Sequence, residues 1–197
     1  MFDNEVRLFL LLLLSRHCFI CLSQQSTSIL SFGKPAFQTT TYVSGDTSYN
    51  AGLAVDGNNN MDFLAGSCSR TFVSENTTPY WYVNLGDMYS IDYILVYSVT
   101  QYEENVVGIE VYVSSGSLSF DPNGICGSIT STTSTPGVYI VYCNPPLIGD
   151  YVALYQQNSN EITLCEVLVY GGINYIIFTF RHLSCDRCSH SVMNFYN

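Results

Sequence analysis

The sequence predicts an all-β protein with the architecture of a jelly-roll β-sandwich. Residues 81–85, 109–113 and 151–155 alternate apolar and polar side chains, and this period of two is typical of a strand with one buried face. Clusters of Gly, Asn, Asp, Pro and Ser separate such segments, and no stretch after Ser23 has sustained helical periodicity. Many short strands spaced in this way indicate an antiparallel sandwich or a jelly roll.

Two further segments, residues 91–99 and 162–170, are nearly continuous runs of β-forming residues. Such runs predict strands that are buried on both faces. The turn signals between the strands lie at residues 44–46, 56–60, 114–116 and 122–124 and at Pro145-Pro146. No internal repeat or linker divides residues 30–171, so we predict one domain over that range.

The composition excludes several classes of partner. The chain has 197 residues, a net charge of -10 and only 6 Lys and Arg residues. Because phosphate backbones are bound by clustered cations, we predict no nucleic-acid partner. The same scarcity of cations disfavours an anionic membrane surface, and we predict no membrane insertion. Hydrophobic residues make up 47% of the chain, which is enough to build a core.

The N-terminus carries a short apolar run, residues 8–14, which is followed by Arg16. Seven residues are too few to cross a bilayer, which takes about 20 residues in a helix, but they suit the apolar region of a signal peptide. We therefore predict a signal peptide over residues 1–23, with cleavage near Ser23, and a secreted, extracellular protein. The alternative is a wrongly assigned start site.

The chain contains 8 cysteines, a number that favours an oxidising compartment. Four of them lie in the strand-rich region, namely Cys68, Cys126, Cys143 and Cys165. Four cysteines allow three disulfide connectivities, and their spacing does not select among the three.

Five segments carry a resemblance to a known family. They are GKPA at 33–36, AVDGN at 54–58, GSC at 66–68, PYWYVNLG at 79–86 and LCEVLVYG at 164–171. In this order and spacing they resemble the F-type lectins, the fucolectin- and tachylectin-like jelly rolls related to discoidin domains. The resemblance covers about residues 30–171. It implies an eight-stranded jelly roll, the disulfides Cys68–Cys165 and Cys126–Cys143, and a structural calcium site.

The resemblance also implies which residues hold the calcium ion. The ligands would be the side chains of Asp56, Asn58, Ser67 and Glu166 and the carbonyl groups of Leu53 and Cys165. Their chemistry agrees, because calcium takes six to eight oxygen ligands from carboxylates, amides, hydroxyls and carbonyls. A bond between Cys68 and Cys165 would bring Ser67 and Glu166 together. The alternative is a plain Asx turn beside a glutamate at the end of a strand.

The fucose-binding residues of the family are substituted in this sequence. Members that bind fucose have a histidine two residues after the first bridge cysteine, where this chain has Arg70. Their two arginines on a later loop correspond to Ser98 and Asn105, and their adjacent cysteines correspond to Gln101 and Tyr102. The resemblance therefore implies a lectin-like module with altered or lost fucose specificity.

The candidate ligand-binding residues are Arg70, Tyr102 and Asn105, which would share one rim of the fold. They predict glycans or glycoproteins as partners. The alternative is a solvated acidic loop on a non-catalytic extracellular module that has lost sugar binding and serves in protein interaction or structure. The sequon that begins at Asn76 predicts N-glycosylation.

An enzymatic function is not predicted. The histidines nearest the end of the domain are His182 and His190, both in the tail, so residues 30–171 offer no histidine-based triad. Glu103 and Glu104 are adjacent, and neighbouring residues on a strand point to opposite faces, which does not suit a glycosidase pair.

The C-terminal tail, residues 172–197, is predicted to be poorly ordered. Its Cys185, Cys188 and His190 fall short of the four ligands of a structural zinc site. A bridge between the two cysteines, an intermolecular disulfide or a wrongly assigned terminal exon remain as alternatives.

Overall fold

The computed structural model describes residues 27–73, 77–100, 106–130, 133–157 and 160–173. The predicted signal peptide and the tail from residue 174 onward lie outside the described residues.

The described part of the chain is built from strands and short 3₁₀ turns, without an α-helix. The strands are β1 Ser28–Ile29, β2 Ala36–Gln38, β3 Val43–Ser44, β4 Thr47–Ser48, β5 Ser69–Arg70, β6 Tyr80–Tyr97, β7 Ile109–Ser114, β8 Ile125–Ser128, β9 Val138–Gln156, β10 Thr163–Leu164 and β11 Glu166–Gly172. The 3₁₀ turns are Ala51–Ala54, Phe63–Ala65 and Pro122–Gly124. Within these residues no helix has the length and apolarity that a membrane crossing requires.

Two long strands, β6 and β9, join both layers of the fold. All pairings are antiparallel, and the main order is β1-β11-β6-β9-β7-β8, with β2 beside β6. The first half of β6 pairs with β2 and the end of β9, whereas its second half pairs with β11 and the start of β9. Register irregularities in β6 separate the two halves, and such bulges bend a strand. The fold class predicted from the sequence, a jelly-roll β-sandwich, is confirmed.

The alternating residues of the long strands form the core. Trp81, Val83, Ile94 and Val96 of β6 are fully buried, and they pack in one cluster with apolar residues of β7, β9 and β11. The side chains between them on β6 are half-buried or exposed, whereas Tyr112 of β7 and Ala153 of β9, which also lie between core residues, are buried. The period of two that predicted strands therefore also identifies the inner face of β6.

Two details of the strand prediction are wrong. Segments 81–85 and 91–99 belong to one strand, β6, which ends at Tyr97. The segment 162–170 is interrupted at Cys165, because the chain changes its partner there, from β5 before this residue to β6 after it.

The expectation that 91–99 and 162–170 are buried on both faces holds for residues 162–167, which are all buried, but is wrong for 91–97 and 168–170. Tyr93, Leu95 and Tyr170 are only half-buried. On this outer face the Tyr93 ring centroid lies 4.5 Å from that of Tyr170 and 5.7 Å from that of Tyr142. Cross-strand aromatic pairs thus occupy the outer face, and their large rings made the sequence read as fully buried.

Both disulfides implied by the resemblance are present. Cys68–Cys165 joins the residue directly before β5 to the break between β10 and β11 and spans 97 residues of sequence. Cys126–Cys143 joins β8 to β9 and spans 17. The first bond ties loops at one end of the sandwich to its central strands.

Trp81 provides a direct test of the core. Its ring is fully buried, and its Nε1–H donates to the Ala51 carbonyl at 3.0 Å. We expect Trp81→Phe to lower the free energy of unfolding by about 2–3 kcal/mol, because the smaller ring leaves a cavity and the carbonyl loses its donor. Urea unfolding measures the change. It is followed by circular dichroism rather than by tryptophan fluorescence, because the chain has 1 Trp and the variant removes it. The exposed Phe72→Leu should change stability by less than about 0.5 kcal/mol, and an equally small effect of Trp81→Phe would contradict this packing.

Candidate functional site

A loop after the first 3₁₀ turn presents a row of side-chain oxygens. Four times in succession a backbone N–H donates to the side-chain oxygen two residues earlier, from Asn58 to Asp56, Asn60 to Asn58, Asp62 to Asn60 and Leu64 to Asp62, at 2.8 to 3.3 Å. Each is an Asx turn, in which the side chain replaces a backbone acceptor. The loop is therefore fixed by its own carboxylates and amides.

Gly57 joins this loop to β11. Its φ is +87°, a backbone conformation that favours glycine. The Gly57 N–H donates to Oε2 of Glu166 at 3.0 Å. The loop thus approaches the first residue of β11 through the backbone.

Glu166 is a buried carboxyl group with one oxygen unsatisfied. Its side chain is 1% exposed, and Oε1 has no hydrogen-bond partner. Burial raises the pKa of Glu166 to about 7, and the nearby Asp56 adds to the rise, although the N–H groups of Gly57 and Asn58 oppose it. An unsatisfied buried oxygen is costly, so this position favours a cation.

The structure brings together some of the predicted calcium ligands. The backbone N–H groups of Gly57 and Asn58 face the Glu166 carboxylate, and Asp56 lies near enough to act on its charge. Ser67 is buried in the same loop, and its hydroxyl donates to the Asn60 carbonyl at 2.6 Å. Leu53 lies in the preceding 3₁₀ turn and Cys165 directly before β11.

This donor set fits a hard cation. It contains only two carboxylates, and across the described ranges no three or more His, Cys, Asp or Glu side chains come together in a group that could hold a metal ion. Two carboxylates, with amide, hydroxyl and main-chain oxygens, match the oxygen ligands that calcium prefers. They do not match the nitrogen and sulfur ligands of a structural zinc site.

A second group of residues lies around Arg70 and is named here the Arg70 cluster: Arg70, Glu161, Tyr42, Tyr49 and Phe63. Arg70 forms an ion pair with Glu161, and the two side chains are 15% and 22% exposed. The guanidinium carbon lies 4.7 Å from the ring centroid of Tyr42 and 5.0 Å from that of Phe63. The cation is therefore held between a carboxylate and two aromatic rings.

The backbone fixes the Arg70 cluster. The Arg70 N–H donates to the Tyr49 carbonyl, and the Arg70 carbonyl accepts from the Tyr42 N–H, both at 2.9 Å. Gln38 Nε2 donates to the carbonyls of Tyr49 and Arg70 at 3.0 Å. Phe63 stacks on Tyr49 with ring centroids 4.6 Å apart. These bonds hold the rings and the ion pair in one arrangement.

Of the three predicted ligand-binding residues, the structure describes one. Arg70 lies in this cluster, whereas Tyr102 and Asn105 lie outside the described residues, as does the predicted glycosylation site Asn76. Ser98, at the position of a family arginine, is fully buried, and its hydroxyl donates to the Thr163 carbonyl at 2.7 Å. That position therefore serves the packing between β6 and β10.

Sequence reasoning missed Glu161, Tyr42 and Phe63. Glu161 lies 91 positions from Arg70, and no motif connects them. The pairing of β5 with β10 sets Arg70 opposite Thr163. Because Glu161 lies two residues before Thr163, this pairing brings it close to Arg70.

The fold and its loops define a discoidin-like β-sandwich domain. The model of the NedA-like, galactose-binding domain family of F5/F8 type C matches residues 53–154. The chain belongs to this family, and its relatives support the F-type lectin resemblance.

Proteins similar to this chain include curated fucolectins and a fucolectin of known structure. The chain is 33% identical over 122 residues to Fucolectin-1 of Anguilla japonica, covering 60% of this chain and 66% of the relative. It is 30% identical over 120 residues to Fucolectin of Anguilla anguilla, covering 60% and 75%. The crystal structure of an F-lectin (fucolectin) from Morone saxatilis (striped bass) serum superposes with a TM-score of 0.62 at 26% identity, covering 74% of this chain and 48% of that one. The chain thus spans just under two thirds of the first relative and about half of the serum lectin.

Proposed function

We propose that this domain is a non-catalytic glycan-binding module whose saccharide site is the Arg70 cluster. The observation that carries the proposal is the fixed pairing of Arg70 and Glu161 beside Tyr42 and Phe63. Saccharides bind through polar groups that read their hydroxyls and aromatic rings that contact their apolar C–H faces. The cluster offers both in one place.

The relatives support a carbohydrate as the ligand class. The matching family is described as galactose-binding, and the similar curated proteins are named fucolectins. We propose that specificity for fucose is altered or lost, because Arg70 stands at the position of the family's histidine and Ser98, at the position of a family arginine, is buried within the fold.

We propose further that the domain holds a structural calcium ion. Asp56, Asn58, Ser67 and Glu166 would supply side-chain oxygens, and Leu53 and Cys165 would supply carbonyl oxygens. The unpartnered Oε1 of buried Glu166 supports this assignment. When bound, the ion would compensate the charges of Asp56 and Glu166 and hold the loop against β11. It would have no part in chemistry.

Secretion and the nature of the partners are also proposals. The two disulfides suit an oxidising compartment, and one relative comes from serum. We propose an extracellular protein that binds glycans or glycoproteins and carries a glycan at Asn76.

A glycan array in the presence of calcium tests the proposed site. We expect saturable binding by the native chain and at least a tenfold loss in Arg70→Gln, because the variant removes the cationic donor that pairs with Glu161. Lys34→Gln is the matched control, since Lys34 and Arg70 are the basic residues of the range 30–171. Melting temperatures of both variants establish that they are folded.

Absence of binding to any glycan would overturn the saccharide function and favour the alternative, a protein-interaction or structural module. Binding that Arg70→Gln and Lys34→Gln leave equally strong would place the site elsewhere on the domain.

A further inference from the structure

We propose that Glu161 is a specificity-determining residue of the Arg70 cluster and restricts it to neutral glycans. The inference rests on the proposed saccharide function of the cluster and names the class of sugar that it accepts. It concerns a residue that no motif in the sequence marks.

The charge of Arg70 is already compensated. Arg70 forms its ion pair with Glu161 where both side chains are mostly buried, at 15% and 22% exposure. A charge pair in such a position is stronger than an exposed one, because solvent screens it less. The cluster therefore presents a neutral pair rather than a free cation.

The position of Glu161 is set by the backbone that follows it. The Ile162 N–H donates to the Thr71 hydroxyl at 2.8 Å, and the Thr71 N–H donates to the Ile162 carbonyl at 2.9 Å. These bonds pair the residue after Arg70 with the residue after Glu161. The carboxylate is thus fixed beside the guanidinium.

An anionic sugar would meet an unfavourable site. A sialic acid carboxylate or a sulfate could reach Arg70 only by displacing Glu161 or by lying beside it. In either case two negative groups would share one cation in a partly buried place, which is a like-charge penalty. The net charge of -10 adds a field that repels anions, and residues 30–171 contain Lys34 as the one basic residue besides Arg70.

A neutral sugar would use both partners. Arg donates and does not accept, whereas an ionised Glu accepts and does not donate. Neighbouring sugar hydroxyls can do both, so one hydroxyl can accept from Arg70 while the next donates to Glu161. The rings of Tyr42 and Phe63 lie beside this pair and can contact the apolar face of the sugar.

The test uses an array of matched glycans, each neutral oligosaccharide beside its sialylated and its sulfated derivative. For the native chain we expect every bound neutral glycan to lose at least tenfold in affinity when sialic acid or sulfate is added next to the recognised sugar. Glu161→Gln keeps the shape and removes the charge. We expect it to weaken neutral binding about tenfold, the loss of one charge-assisted hydrogen bond, and to reduce or reverse the discrimination against the anionic derivatives.

Asp87→Asn is the control, because it removes the same charge from an exposed residue in the bulged part of β6. We expect it to leave the discrimination unchanged. Equal or stronger binding of the anionic derivatives by the native chain would overturn the inference, and that comparison needs no variant. Discrimination that Glu161→Gln leaves intact would also overturn it. A native chain that binds no glycan at all would instead refute the proposed saccharide function.

Discussion

Replacing both Cys68 and Cys165 by alanine is expected to lower the free energy of unfolding by about 4–5 kcal/mol. The bond closes a segment of 97 residues, and by loop entropy a closure of about that length stabilises a fold by about 4.7 kcal/mol. The Cys126→Ala/Cys143→Ala variant should lose less, about 3 kcal/mol, because its bond closes 17 residues. Chemical unfolding of the three proteins under one set of conditions measures both values.

The first variant should also weaken calcium binding, because Cys68 follows Ser67 and Cys165 precedes Glu166. The second variant should keep calcium binding, which makes it the matched control. An equal loss of stability in both variants would contradict the assignment of the longer bond as the main covalent constraint.

The second large effect is expected from calcium. At a concentration one hundred times its dissociation constant, calcium should add about 2.7 kcal/mol to the free energy of unfolding. Glu166→Gln should lose this increment, because the amide removes the buried carboxylate that we propose as a ligand. Melting curves measure this increment. They are recorded with calcium and with chelator for the native chain, for Glu166→Gln and for the control Asp87→Asn. A native chain that melts at the same temperature in both solutions would refute the site.

The pH dependence in chelator gives an independent check. Burial raises the pKa of Glu166 to about 7 from its ordinary value of 4.5, so between these two values the folded state keeps a proton that the unfolded state releases. The contribution of Glu166 to stability therefore falls as the pH rises from about 4.5 to about 7, and above that range its penalty is constant. We expect Glu166→Gln to be at least as stable as the native chain at pH 8 in chelator and to lack this component. A variant that is much less stable than the native chain under these conditions would contradict the account of a buried, uncompensated charge.

Strand identity could be predicted from the sequence because it depends on local alternation. The continuity of β6 could not. Residues 84–89 contain Gly86 with a φ of +87°, a conformation that occurs routinely in tight turns, and the alternation of apolar and polar residues ends at Leu85. The strand continues beyond it because β9 pairs with both halves, and that partner is supplied only by the folded molecule.

The two candidate sites also differ in how far the sequence predicts them, because one is formed by neighbouring residues and the other by distant ones. Asp56, Gly57 and Asn58 are consecutive, so their turn could be read from the sequence, and the resemblance to the F-type lectins implied Glu166 as their partner. The Arg70 cluster draws Tyr42, Phe63 and Glu161 from three separate segments. Only the pairing of β5 with β10 and the loops around it bring these residues together.

The central claim is that the Arg70 cluster binds a neutral glycan, and chemical-shift mapping tests it most directly. A ¹⁵N-labelled chain with calcium is titrated with the strongest neutral glycan from the array. We predict that the largest saturable shifts fall on the Nε–H of Arg70 and on the backbone amides of Tyr42, Phe63 and Glu161. Shifts confined to other surfaces, such as the outer face around Tyr93 and Tyr142, or no shifts at saturating glycan, would contradict the claim.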